Sequence, residues 1–128
     1  MNAKPSVLIT GARAPVALHL ARLLHDAGHG VSLLDHVKHP LAGASQMNIP
    51  YYRIPPFSTE PEAAGDALHD IIEERGIALV VPTCEEVLHL GALWQRRSPN
   101  AKLFAPKLAE LTQVHSKYHF IRLCEDLG

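Results

Sequence analysis

The sequence predicts a three-layer α/β domain of the Rossmann-like, doubly wound kind, with a mostly parallel five-stranded sheet. Three observations lead there. Short apolar runs rich in β-branched residues recur along the 128 residues, as strands buried on both faces do. Between them, apolar residues recur at helical spacing up to a glycine. The first strand, helix and strand together take about thirty residues, the length of a βαβ unit with a right-handed crossover.

Taken in order, Ser6 to Thr10 form the first strand, closed by Gly11. A helix follows from Ala14, with Pro15 tolerated in its first turn, Val16, Leu20, Leu23, Leu24 and Ala27 on one face, and Gly28 as its stop. Gly30 to Asp35 read as the second strand. Residues 36 to 50, with Pro40, Gly43 and Pro50, have no sustained period and read as loop. Tyr51 to Ile54 form a short strand ended by Pro55 and Pro56, and Thr59 with Glu62 has the spacing of a capping box. The helix behind it places Ala64, Leu68, Ile71 and Ile72 at helical spacing and stops at Gly76. Ile77 to Val81 predict a strand buried on both faces, residues 84 to 97 a third helix with Leu88, Leu93 and Trp94 in the core, and Lys102 to Ala105 a fifth strand. After Pro106 come a helical turn, Leu108 to Leu111, and a helix from His115 to Leu127.

Bulk properties exclude several function classes. A hydrophobic content of 47% is enough for one packed core. Twelve Lys and Arg against thirteen Asp and Glu, with no block of like charge, speak against nucleic acid and membrane surfaces. Cys84 and Cys124 form neither a disulfide framework nor a metal ribbon, which fits a reducing, cytoplasmic setting. Neither a signal peptide nor a transmembrane helix is legible.

Ligands of open α/β sheets bind at the carboxyl ends of the strands, so the loops Gly11-Ala12-Arg13 and Thr83-Cys84-Glu85-Glu86 are the candidate site. Arg13 can clamp a carboxylate or phosphate, though a surface arginine is the plainer account. Glu85 and Glu86 fit substrate contact and helix-dipole complementarity equally. Thr10-Gly11-Ala12 with Asp35 at the end of the next strand also invites an NAD(P) site, with the acid on a ribose. That fingerprint is incomplete, because the residues after Gly11 lack further glycines and Pro15 removes a donor. Of nine histidines, His115 and His119 have a metal-sharing spacing, but further ligands are not evident and no metal site is expected. Cys84 has no histidine spaced to activate it, so a packed thiol is favoured over a nucleophile.

Three segments, LITGARAPVALHLAR at 8–22, VPTCEEV at 81–87 and HSKYHF at 115–120, together resemble the start of ATP-grasp proteins of the carbamoyl-phosphate-synthase large-subunit type. The resemblance covers nearly the whole chain in the expected order. It implies a pre-ATP-grasp domain over residues 1–106, then a linker and the first helix of the ATP-grasp portion over 107–128. In such ligases ATP, with Mg2+, activates a carboxylate as an acyl phosphate that an amine or other nucleophile attacks. The resemblance further implies that Lys117 reaches the nucleotide phosphates and that Gly11, Arg13, Thr83, Glu85 and Glu86 face the substrates. The lobes that clasp ATP and Mg2+ do not lie within these residues, so the chain alone is expected to be inactive, to hold neither cofactor tightly, and to leave Phe120, Ile121 and Leu127 partly uncovered, where a homodimer could form. Two other readings remain: a freestanding Rossmann-like module for a small ligand or partner, and an NAD(P)-dependent oxidoreductase domain.

Overall fold

A computed structural model of the chain describes residues 4–39, 49–84 and 86–104, together with Glu125. Its elements are β1 (Val7–Thr10), α1 (Pro15–Asp26), β2 (Val31–Asp35), β3 (Tyr51–Arg53), α2 (Pro61–Arg75), β4 (Leu79–Val81), α3 (Val87–Arg97) and β5 (Lys102–Leu103). The five strands form one sheet in the order β3-β2-β1-β4-β5, and every pairing is parallel. The boundary expected at residues 106 and 107, and the helices expected beyond it, lie outside the described residues.

Alternation along the strands divides the core in two. Val7 and Ile9 of β1 join Val31 and Leu33 of β2 beneath Ala17 and Ala21 of α1. Leu8, Leu34 and Val80 point the other way, against Leu68 and Ile72 of α2 and Leu90 and Leu93 of α3. With α1 on one face and α2 and α3 on the other, the sheet is the middle of three layers. Neighbours β1 and β4 leave the sheet toward opposite sides, which makes their carboxyl ends the topological switch point where such folds bind ligands.

The helices follow local chemistry, with departures from expectation. In α1 the buried residues are Ala17 and Ala21, while Val16 and Leu23 are exposed. The buried face is thus turned by one residue, about 100° around the axis, from the Val16–Leu23 stripe. Small side chains let the helix backbone come close to the sheet, and Leu18, Leu20 and Leu24 pack along its flanks. Its end is a Schellman motif: Gly28 takes φ +93°, its N–H bonds His25 O, and the N–H of His29 bonds Leu24 O. The second departure is at α2. Thr59 does not cap it; the helix starts at Pro61 after Glu60 with no side-chain cap, because proline's fixed φ suits the first helical position. Beyond that, α2 buries Ala64, Gly65, Leu68 and Ile72 and ends at Gly76, as the spacing predicts. In β4, expected to be buried on both faces, Val80 is fully buried while Leu79 and Val81 are only partly covered. Trp94 packs against the core rather than within it and donates its indole N–H to Ala101 O at 2.9 Å.

Candidate active site at the switch point

A cavity of about 180 Å3 opens at the carboxyl ends of β1 and β2. Its walls are Gly11 and Arg13 after β1, Leu34, Asp35 and His36 at the end of β2, residues 54–58 after β3, and Glu86 and His89 at the start of α3. Phe57 and His89 stack on one side with ring centroids 6.2 Å apart.

Arg13 and Asp35 stand at the ends of neighbouring strands and lock together. Asp35 Oδ1 accepts from Arg13 Nη1 at 2.6 Å and from the His36 N–H at 2.7 Å, with His36 Nδ1 at 3.1 Å. Its Oδ2 accepts the Arg13 backbone N–H at 2.9 Å. The Asp35 side chain is 2% exposed and that of Arg13 37%, so the carboxylate is the buried member and the guanidinium the one that meets the cavity. Burial works to lower the Arg13 pKa, but the charges of Asp35, Cys84 and Glu86 outweigh it and hold the guanidinium above its ordinary value. Nearby, burial pushes the Tyr51 phenol up, Asp35 adds to that, and Arg53 and Arg13 oppose it. The Tyr51 hydroxyl donates to Val37 O, tying down the chain after β2.

A second set of bonds fixes Glu86. Its Oε1 accepts from the buried Thr10 hydroxyl at 2.7 Å and from the Cys84 N–H at 3.3 Å. Thr83 Oγ1 faces the carbonyl oxygens of Thr10 and Gly11 at 2.7 and 3.1 Å, where its single proton can serve either. Gly11 is required where these groups converge. It has φ +76°, and a β-carbon there would stand 2.4 Å from Thr83 Oγ1 and 2.7 Å from Glu86 Oε1.

Of the residues the sequence nominated, Gly11, Arg13 and Glu86 line the cavity together. Thr83 stands behind it, its hydroxyl turned to the β1 carbonyls. Glu85 and Lys117 lie outside the described residues, as do His115 and His119. Glu86 is the N-cap residue of α3 without capping it; its carboxylate reaches back to β1 instead. Thr10, named only with the dinucleotide reading, instead holds Glu86. Sequence reasoning missed His36, Phe57 and His89, which no local signal marked. Among the described residues no group of three or more His, Cys, Asp or Glu could hold a metal ion, and no helix is long and apolar enough to cross a membrane.

In the loop after β1, the N–H groups of Ala12, Arg13 and Ala14 are already bonded. The Ala12 N–H bonds Leu34 O at 3.3 Å and the Ala14 N–H bonds Gly11 O at 2.9 Å; Arg13 N–H goes to Asp35, and Pro15 has none. A dinucleotide loop instead presents free N–H groups to a pyrophosphate, and its strand-end acid is open to a ribose, whereas Asp35 is saturated by Arg13 and His36.

No protein-family model matches the chain, and no curated protein matches it in sequence. Solved structures do share the fold. The biotin carboxylase domain of a single-chain bacterial carboxylase is 19% identical, with a TM-score of 0.66, over 98% of this chain and 29% of that one. The dTDP-glucose 4,6-dehydratase of Bacillus anthracis str. Ames, solved with NAD, is 15% identical, with a TM-score of 0.57, over 78% of this chain and 36% of that one. The UDP-glucose 4-epimerase of Thermus thermophilus, also with NAD, is 15% identical, with a TM-score of 0.53, over 73% and 35%. The chain therefore spans only 29–36% of the length of these structures, and identities this low speak to the fold alone.

Proposed function

We propose that the chain is the N-terminal α/β lobe of an ATP-grasp ligase, which activates a carboxylate with ATP and Mg2+ and joins it to an amine or other nucleophile. The observation that carries this reading is the loop after β1: the N–H groups of Ala12, Arg13 and Ala14 are bonded within the loop and to β2, and Asp35 is held by Arg13 and His36, which disfavours a dinucleotide and leaves a small cavity for a substrate. The breadth of the likeness adds support, since the biotin carboxylase domain, an ATP-grasp enzyme, matches over 98% of the chain while the dehydratase and epimerase match over 73–78%. In this reading Gly11, Arg13, Thr83, Glu85 and Glu86 belong to the substrate side of the cleft, and Lys117 contacts the nucleotide phosphates. The nucleotide is, in this reading, held by other parts of the protein, and the lobe's own work is to bind and orient a substrate. Exposed Val16, Leu23 and Phe104 offer apolar area for contact with another lobe or a second copy.

The test is ADP release by the polypeptide of the complete reading frame, supplied with MgATP and a panel of carboxylic acids and amines. Release that depends on one acid and one amine is the expected result. The second reading, an oxidoreductase domain, is supported by Asp35 at the end of β2 and by the likeness to the dehydratase and epimerase solved with NAD; NAD(P)-dependent stabilisation of the fold, with reduction of the cofactor, would replace the ligase reading with it.

A further inference from the structure

Glu86 carries an unfinished carboxylate. Its Oε1 is bonded twice, but Oε2 is buried without a hydrogen-bond partner among the described residues. Arg13 Nη2 stands 3.6 Å away, beyond hydrogen-bond reach. The Glu86 side chain is only 10% exposed, yet it lines the cavity. Among the described residues Oε2 is thus compensated only by the longer ion pair to Arg13, and a ligand that brings an N–H to it gains a charge-assisted hydrogen bond.

The charge of the walls gives the sign of the ligand. One guanidinium, Arg13, faces two carboxylates, Asp35 and Glu86, so among the Arg, Asp and Glu side chains of the wall the carboxylates are in excess by one. A further anion is repelled and a cation attracted. Leu34, Ile54 and Phe57 supply an apolar stretch of the wall. We infer that the cavity takes a small primary amine as its ammonium form, with the –NH3+ on Glu86 Oε2 and an apolar body against Leu34, Ile54 and Phe57. The edge of the Arg13 guanidinium swings aside to admit it. The planar guanidinium can do so only by pivoting about its Nη1 bond to Asp35, exchanging the 3.6 Å ion pair with Glu86 for the ammonium contact while the backbone N–H stays on Asp35. This inference rests on the ligase reading and refines it: the amine, not the carboxylate, is the substrate this lobe holds.

The experiment is a titration of the isotope-labelled 128-residue chain, followed by NMR, with benzylamine, benzyl alcohol and benzoate. Benzylamine should shift the signals of Gly11, Glu86 and Phe57 saturably, and bind about ten- to a hundredfold more tightly than benzyl alcohol. Glu86→Gln keeps an oxygen for the Thr10 and Cys84 bonds and should lose that preference. Should the variant fail to fold, the comparison of the three probes on the unaltered chain still decides. Benzyl alcohol or benzoate binding as tightly as benzylamine, or an amine preference that survives Glu86→Gln, overturns the inference. Its failure is separable from that of the ligase: benzylamine binding without ATP-dependent ADP release removes the ligase and keeps the amine site, and ADP release without an amine preference does the reverse.

Discussion

Gly11→Ala probes the convergence of β1, the β4 loop and α3 at a single atom. A β-carbon at φ +76° costs about 1–2 kcal/mol for the left-handed conformation. That carbon would also stand 2.4 Å from Thr83 Oγ1, 2.7 Å from Glu86 Oε1 and 3.1 Å from Cys84 Sγ. The Thr83 hydroxyl cannot retreat without loosening its contacts to Thr10 O and Gly11 O, a loss of about 0.5–1.5 kcal/mol, and the crowding itself adds about 1–3 kcal/mol. The expected loss of stability is therefore about 3–6 kcal/mol, a large part of a typical domain's total. Urea denaturation followed by circular dichroism, read as a shift in midpoint at unchanged slope, measures it. In a Thr83→Ala background the nearest obstacle is gone, and the same substitution should cost about 1–3 kcal/mol less. A loss under about 1 kcal/mol in the unaltered background, or equal losses in both, would refute the packing argument.

Asp35→Ala removes the acceptor for two backbone N–H groups and the Arg13 side chain, and should cost about 2–3 kcal/mol in the same urea assay; Arg13→Met should cost less than about 1 kcal/mol, because the guanidinium is more than a third exposed and its charge is screened. Leu68→Ala, on the buried face of α2 in the larger core cluster, should destabilise by about 2–5 kcal/mol, and a loss below about 1 kcal/mol would mean that α2 is not packed as described. Tyr51 is held protonated above its ordinary pKa of 10.0 by burial and by Asp35. Above that pH the unfolded chain loses the phenol proton first, so the folded state's advantage declines as pH rises through the raised value. Tyr51→Phe should flatten this alkaline decline in thermal melts between about pH 9 and 11 (a range set about the ordinary tyrosine pKa), and an unchanged slope would contradict the assignment.

The sheet was legible because buried parallel strands leave continuous apolar runs, and Val7–Thr10, Val31–Asp35 and Leu79–Val81 are such runs. The face of α1 was not, because periodicity weights Val16 and Leu23 by hydrophobicity, whereas close approach to the sheet selects Ala17 and Ala21 by size. Thr59 has the spacing of a cap, but Pro61 two residues on fixes the helix start. At the site, Arg13 and Glu86 could be nominated from their place after β1 and β4. What they bond could not: Asp35, read alone, invited a ribose, and only the register of β1 beside β2 shows that it meets Arg13. Phe57 and His89 come together through the path of the chain after β3, which no local pattern records.

A ligase of the proposed kind activates a carboxylate as an acyl phosphate. Hydroxylamine intercepts such an intermediate, so hydroxamate formation is to be measured with the polypeptide of the complete reading frame, MgATP and candidate acids. Hydroxamate and ADP in equal amounts, dependent on both ATP and one acid, are expected. Absence of hydroxamate with every acid, alongside reduction of NAD(P) by the same preparation, would contradict the ligase reading.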